Sequence, residues 1–171
     1  MRIVLNLSEN SVNAAMKEIS AYSVSVKRKS ETLRRRISEE LEKDIRDRFA
    51  ESVYNGLTEG GTRTPDVTVT TGNRGDITVV LAQGEEAVFV EFGAGVYHNT
   101  PAGSTPHEWG AEHGFTIGTY GKGHGARRAW GYVDEDGLHI TRGTPAQMPM
   151  YNAVKNILPR IPEIAKEVFA E

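Results

Sequence analysis

The first fifty-odd residues constrain the fold most. From Ser8 to about Tyr54 apolar side chains recur every three or four positions: Val12, Met16, Ile19, Tyr22 and Val26, then Leu33, Ile37, Leu41, Ile45, Phe49 and Val53. That step puts them on one stripe of a helix, with Glu, Lys and Arg on the other side. No proline interrupts the run, and the pattern predicts helix over about 10–54. Its weak stretch is Tyr22 to Ser30, where serine and valine concentrate, so one bent helix and two helices (roughly 10–25 and 28–54) both fit. Ser8 and Ser11 are candidate caps for the unpaired first-turn amides. Asn55-Gly56 supplies residues that tolerate the left-handed end of a helix.

The period then changes from 3.6 to 2. Val67, Val69 and Thr71 alternate with Thr68 and Thr70, a turn follows at Gly72-Asn73-Arg74-Gly75, and Ile77 to Ala82 is a second β-branched run. After Gln83-Gly84-Glu85-Glu86 comes Ala87-Val88-Phe89-Val90-Glu91-Phe92. Read together, these predict an antiparallel meander over 66–92. A hairpin is expected over 129–142, with Trp130–Val133 and Leu138–Thr141 flanking Asp134-Glu135-Asp136-Gly137. From 146 to 170 the helical spacing returns, broken by Pro159 and Pro162, each of which removes an amide donor. We expect helix to about Leu158, a break, and a last helix to about Ala170. The order defines an α+β fold in a single domain, with a long N-terminal amphipathic helix and a C-terminal helix on one face of a small antiparallel sheet.

Between these elements, over 93–128, lies a long loop rich in glycine, histidine and aromatic residues. Twelve of the 18 glycines and all five histidines fall between Gly93 and Gly143. Loops longer than about 15 residues are uncommon in compact domains and usually functional or disordered. This one carries Tyr97, Trp109, Phe115, Ile117 and Tyr120, side chains able to pack on the same domain or on a neighbouring subunit.

Composition narrows the chemistry. The chain has 171 residues, no cysteine and a net charge of -3. That length suffices for a core without staples. Lack of cysteine excludes a disulfide scaffold, a thiolate metal site and a cysteine nucleophile. No apolar run approaches the roughly 20 residues of a membrane span. The start is too short for a signal-peptide core, so a soluble chain made in the cytoplasm is expected.

Each candidate chemistry falls short of its pattern. His98, His107, His113, His124 and His139 are separated by nine, six, eleven and fifteen residues, which matches no compact ligand spacing. After His107-Glu108 a zinc-protease helix would need histidine at the position of Ala111. Gly118-Thr119-Tyr120-Gly121-Lys122-Gly123 approaches a phosphate loop, but Gly123 stands where the magnesium-binding hydroxyl belongs and Thr116 where the first glycine belongs. Lys27-Arg28-Lys29 and Arg34-Arg35-Arg36 stack along one helix side, yet residues 1–53 hold 11 basic and 9 acidic groups, the mixture of a solvated face. No nucleophile elbow or acid–histidine pair is present. No catalytic residue, metal ligand or cofactor is expected.

Several motifs together resemble the tail-completion (head–tail joining, minor tail) protein family of long-tailed bacteriophages and prophages. They are Val90-Glu91-Phe92-Gly93-Ala94-Gly95, the Gly118–Gly123 stretch, Trp130-Gly131-Tyr132, and Gly143-Thr144-Pro145-Ala146-Gln147-Met148-Pro149-Met150-Tyr151. The resemblance runs from about Leu33 to Phe169, with departures at Ala94 and Arg142, where members often carry threonine and histidine. It implies a non-enzymatic virion subunit. Such a subunit forms a ring, hexameric in the virion, at the head–tail junction, with copies of itself, a head-completion or connector protein and the tail tube protein as partners. Neither a membrane nor a specific nucleic acid is expected among them. On that reading the candidate assembly residues are Glu91, Phe92, Gly93, Gly95, Tyr97, His98, Trp109, Tyr120, Gly121, Lys122, Gly123 and Trp130. Pro145, Ala146, Pro149 and Tyr151 would frame the lead-in to the C-terminal helix. The alternatives are a metal-dependent hydrolase using histidines of 98–139 and a nucleic-acid-binding module using the stripe from Lys27 to Arg36.

Overall fold

The computed structural model describes residues 8–57, 61–93, 130–135, 137–141, 144 and 146–170. The elements are α1 (Glu9–Glu51), β1 (Tyr54–Leu57), β2 (Gly61–Arg63), β3 (Thr68–Arg74), β4 (Ile77–Gln83) and α2 (Glu85–Phe92). They continue with β5 (Trp130–Asp134), β6 (Gly137–Thr141), α3 (Pro149–Ile157), a 3-10 turn (Leu158–Arg160) and α4 (Ile161–Ala170). This is an α+β fold. The chain divides into two compact units, Met1–Ile37 with Arg160–Glu171, and Ser38–Pro159.

α1 is a single assigned helix of 43 residues. Ser8 caps it: its hydroxyl accepts from the Ser11 amide at 3.3 Å and its carbonyl from the Val12 amide at 3.1 Å. The Ser/Val stretch stays helical, because each such residue costs only about half a kcal/mol of propensity. In the first unit, Ile164 and Val168 of α4 are buried, as is Ala15 of α1. Two residues of the basic stripe hold α4: Lys29 Nζ donates to the Phe169 carbonyl at 3.1 Å, and Arg36 pairs with Glu167 at 3.3 Å. A cation at the last carbonyls of a helix is favoured by the helix dipole. Val12, Met16, Ile19 and Tyr22, the early part of the apolar stripe, are exposed.

In the second unit the stripe is covered. Ile45 and Phe49 of α1, Val69 of β3, Ala87 and Val90 of α2 and Ala153 of α3 form one core, flanked by Leu41, Tyr54, Val67, Val80, Ala82 and Met150. β3 and β4 pair antiparallel from Thr68↔Gln83 to Arg74↔Ile77. Alternation turns Val69, Thr71, Val80 and Ala82 to one side, and the Thr71 hydroxyl donates to Glu42 of α1. Lys43 pairs with Asp47 at 2.7 Å on the exposed side of α1, and the part-buried Arg48 pairs with Asp44 at 2.9 Å, where Asp44 also accepts from Asn156 of α3 at 3.1 Å. The hydrogen bond and charge of Asp47 raise the Lys43 pKa above its ordinary value.

Three sequence expectations are corrected here. The segment 87–92 is not a third strand but the end of α2. Its six apolar-rich residues satisfy both periods, and burial of Ala87, Val90 and Glu91 at steps of three and four selects the helix. The described strands therefore form three two-stranded ladders, β1–β2, β3–β4 and β5–β6, instead of one meander. α1 ends at Glu51, and Asn55-Gly56 lies inside β1 instead of capping the helix. The hairpin expected over 129–142 forms as β5–β6, and the proline break as the 3-10 turn between α3 and α4.

α2 starts where the chain is tightest. Gly84 has φ 142°, and a β-carbon there would stand 2.3 Å from the Asp66 carbonyl oxygen. Only glycine allows that approach. Glu86, in the first turn, ties the same region down: one carboxylate oxygen accepts from the Asp66 amide at 2.8 Å and the other pairs with Arg63. The Arg63 guanidinium also lies 5.3 Å from the centre of the Tyr54 ring.

Candidate functional site

Residues 90–93 and 144–151, two stretches singled out in the sequence, meet at one place. Glu91, in the last turn of α2, is 5 % exposed. Its carboxylate accepts from the Met150 amide at 2.9 Å and the Tyr151 amide at 3.0 Å. These are the second and third residues of α3. Helix starts leave their first amides without intrahelical partners, and here Met148, with φ 53°, stands at the cap position with no side-chain cap bond. Pro149 has no amide to satisfy, and the Asn152 amide donates to the Met148 carbonyl at 2.9 Å. Glu91 thus supplies, from another helix, the capping carboxylate that α3 lacks, facing the positive end of its dipole.

Gly93 and Gln147 complete this clasp. Gly93 has φ 78°, and a β-carbon on it would lie 2.9 Å from the Ala146 nitrogen and 3.2 Å from the Thr144 carbonyl oxygen. The Gln147 amide donates to the Val90 carbonyl at 2.9 Å. Its side chain pairs both ways with Val53, accepting from that amide at 2.8 Å and donating to that carbonyl at 2.7 Å. Asn152 Nδ2 donates to the Gln147 carbonyl at 3.1 Å. Thr144, Ala146, Met148, Pro149 and Tyr151 are all buried. Three pieces of backbone, at 52–53, 90–93 and 144–152, are joined through Glu91 and Gln147.

This changes the standing of the sequence candidates. Glu91 and Gly93, expected on an adhesive surface, are interior residues that hold α2 to α3. Ala146, Pro149 and Tyr151 are buried at the start of α3. Phe92 is half-buried at the end of α2, and Trp130 opens β5. Gly95, Tyr97, His98, Trp109, Tyr120, Gly121, Lys122, Gly123 and Pro145 lie outside the described residues. Sequence reading missed Gln147, Glu86 and Gly84. Gln147 stood inside the motif, and its only signal was a polar residue among apolar and proline neighbours.

An open recess of about 490 Å³ on α1 is lined by Asn13, Met16, Lys17 and Ser20, none of them an acid or a histidine. Among the described residues no group of three or more His, Asp or Glu side chains could hold a metal ion, and no helix is long and apolar enough to cross a membrane. A recess of about 170 Å³ lined by Arg48, Glu51, Ser52, Gln147 and Pro149 sits beside the clasp. That is below the ~300–1,000 Å³ of ordinary ligand pockets.

Comparison with known proteins adds no relative: the chain matches no family model, no curated protein and no solved structure.

Proposed function

We propose that the protein is a structural subunit of a long-tailed phage or prophage, a tail-completion protein that forms a ring at the head–tail junction. What supports the reading is the motif resemblance, and one observation carries it: Glu91-Phe92-Gly93 and Ala146-Gln147-Met148-Pro149-Met150-Tyr151 interlock through the Glu91 carboxylate. The two most distinctive stretches therefore serve a single architectural purpose. A shared framework, not a shared reaction, is what such motifs would specify. The long segment that leaves after Gly93 is, on this reading, the surface that grips sibling subunits, the connector and the tail tube.

The test is electron microscopy of particles produced without this protein. Separate filled heads and finished tails are expected. Normally joined particles would remove the proposal.

A further inference from the structure

The β3–β4 ribbon has features that the single chain does not use. Among the described residues it is a two-stranded sheet, so the outer edges of β3 and β4 have no strand partner. One face serves the core, while the other shows Ile77 at 65 %, Val79 at 38 % and Leu81 at 47 % exposure. These stand cross-strand from Arg74, Gly72 and Thr70. β4 carries no charge and no proline from Ile77 to Gln83, and so lacks the devices that usually keep an edge strand from pairing. Gly72 is a glycine the monomer does not need: a β-carbon there would meet nothing within 4 Å. Glycine weakens a strand interior and often marks the close approach of another backbone. The two edges also differ in charge at the tip, where Arg74 ends β3 and Asp76 precedes β4.

We propose that β4 of one copy adds to β3 of a second copy, with the hairpins side by side and pointing the same way. That pairing is antiparallel and extends the existing ladder. It sets Asp76 of one copy beside Arg74 of the next and places Val79 against the next copy's Gly72. Pairing two β4 edges antiparallel would instead send the tips to opposite ends and leave these charges unmatched. The interface is head-to-tail, so its repetition closes a ring or runs on as a filament. The inference rests on the ring reading above and names its contact surface.

Sedimentation velocity of the full chain at low salt, over a concentration series, tests it. The wild type should associate. Arg74→Asp and Asp76→Arg should each weaken the dissociation constant about fivefold, the scale of one exposed ion pair turned repulsive. The double exchange should restore it. Val79→Lys should abolish association while circular dichroism and melting stay as in the wild type, because Val79 is already exposed. An assembly indifferent to all these changes, or a double exchange that fails to restore it, overturns the hairpin contact and leaves the ring reading standing. A chain that stays monomeric throughout overturns the hairpin contact alone, since the ring reading places the ring in the virion and is tested there.

Discussion

Gly93 lies so close to Ala146 that a β-carbon on the glycine would stand 2.9 Å from the alanine nitrogen, with its φ at 78°. Side chain and conformation are both forbidden there, so the two penalties add. Gly93→Ala should lower stability by about 2–4 kcal/mol, through the left-handed conformation and the displaced lead-in to α3. Thermal unfolding measures this, and a melting temperature within a degree or two of the wild type would show that the clasp can open at no cost.

Gly84 and Gly72 form a contrasting pair. Gly84→Ala drives a methyl against the Asp66 carbonyl at 2.3 Å and should destabilise at least as much as Gly93→Ala. Gly72→Ala enters open space and should leave the monomer unchanged or stabilise it by up to about 1 kcal/mol. Urea titrations of the two variants give the order, and equal effects would contradict the geometry.

Glu91→Ala strands the Met150 and Tyr151 amides in a buried setting, at a cost of about 2–4 kcal/mol. Glu91→Gln should lose less, since its carbonyl oxygen still accepts one of the two, although its NH2 faces the other donor. If glutamine proved as harmful as alanine, charge rather than acceptor geometry would govern the cap. Midpoints of denaturant unfolding separate the cases.

Gln147 makes its two bonds to Val53 with its side chain. Gln147→Ala should therefore free the Val53 amide, raising its hydrogen exchange about tenfold for a loss near 1.4 kcal/mol. Protection in the core of α1 should change less. Unchanged exchange at Val53 would mean that the peptide is held by something else.

What the sequence disclosed follows the range of the forces involved. α1, the β3–β4 hairpin, the β5–β6 hairpin and the proline break were legible because period, turn residues and proline act within a few positions. The end of α1 was not, since the partner that draws Val53 out of the helix is Gln147, 94 positions away. Residues 87–92 were misread because six apolar-rich residues cannot report their own period. Glu91 and Gly93 were singled out, yet for the wrong office. That a carboxylate in one helix caps another becomes visible only once Met150 and Tyr151, 59 and 60 positions on, are brought to it.

The approach of Gly93 to Thr144 has one more consequence. The chain departs and returns at nearly the same point, so the mutual placement of α2 and α3 is settled at the junction itself, whatever intervenes. Lengthening or shortening the stretch between those two positions need not disturb the helices on either side.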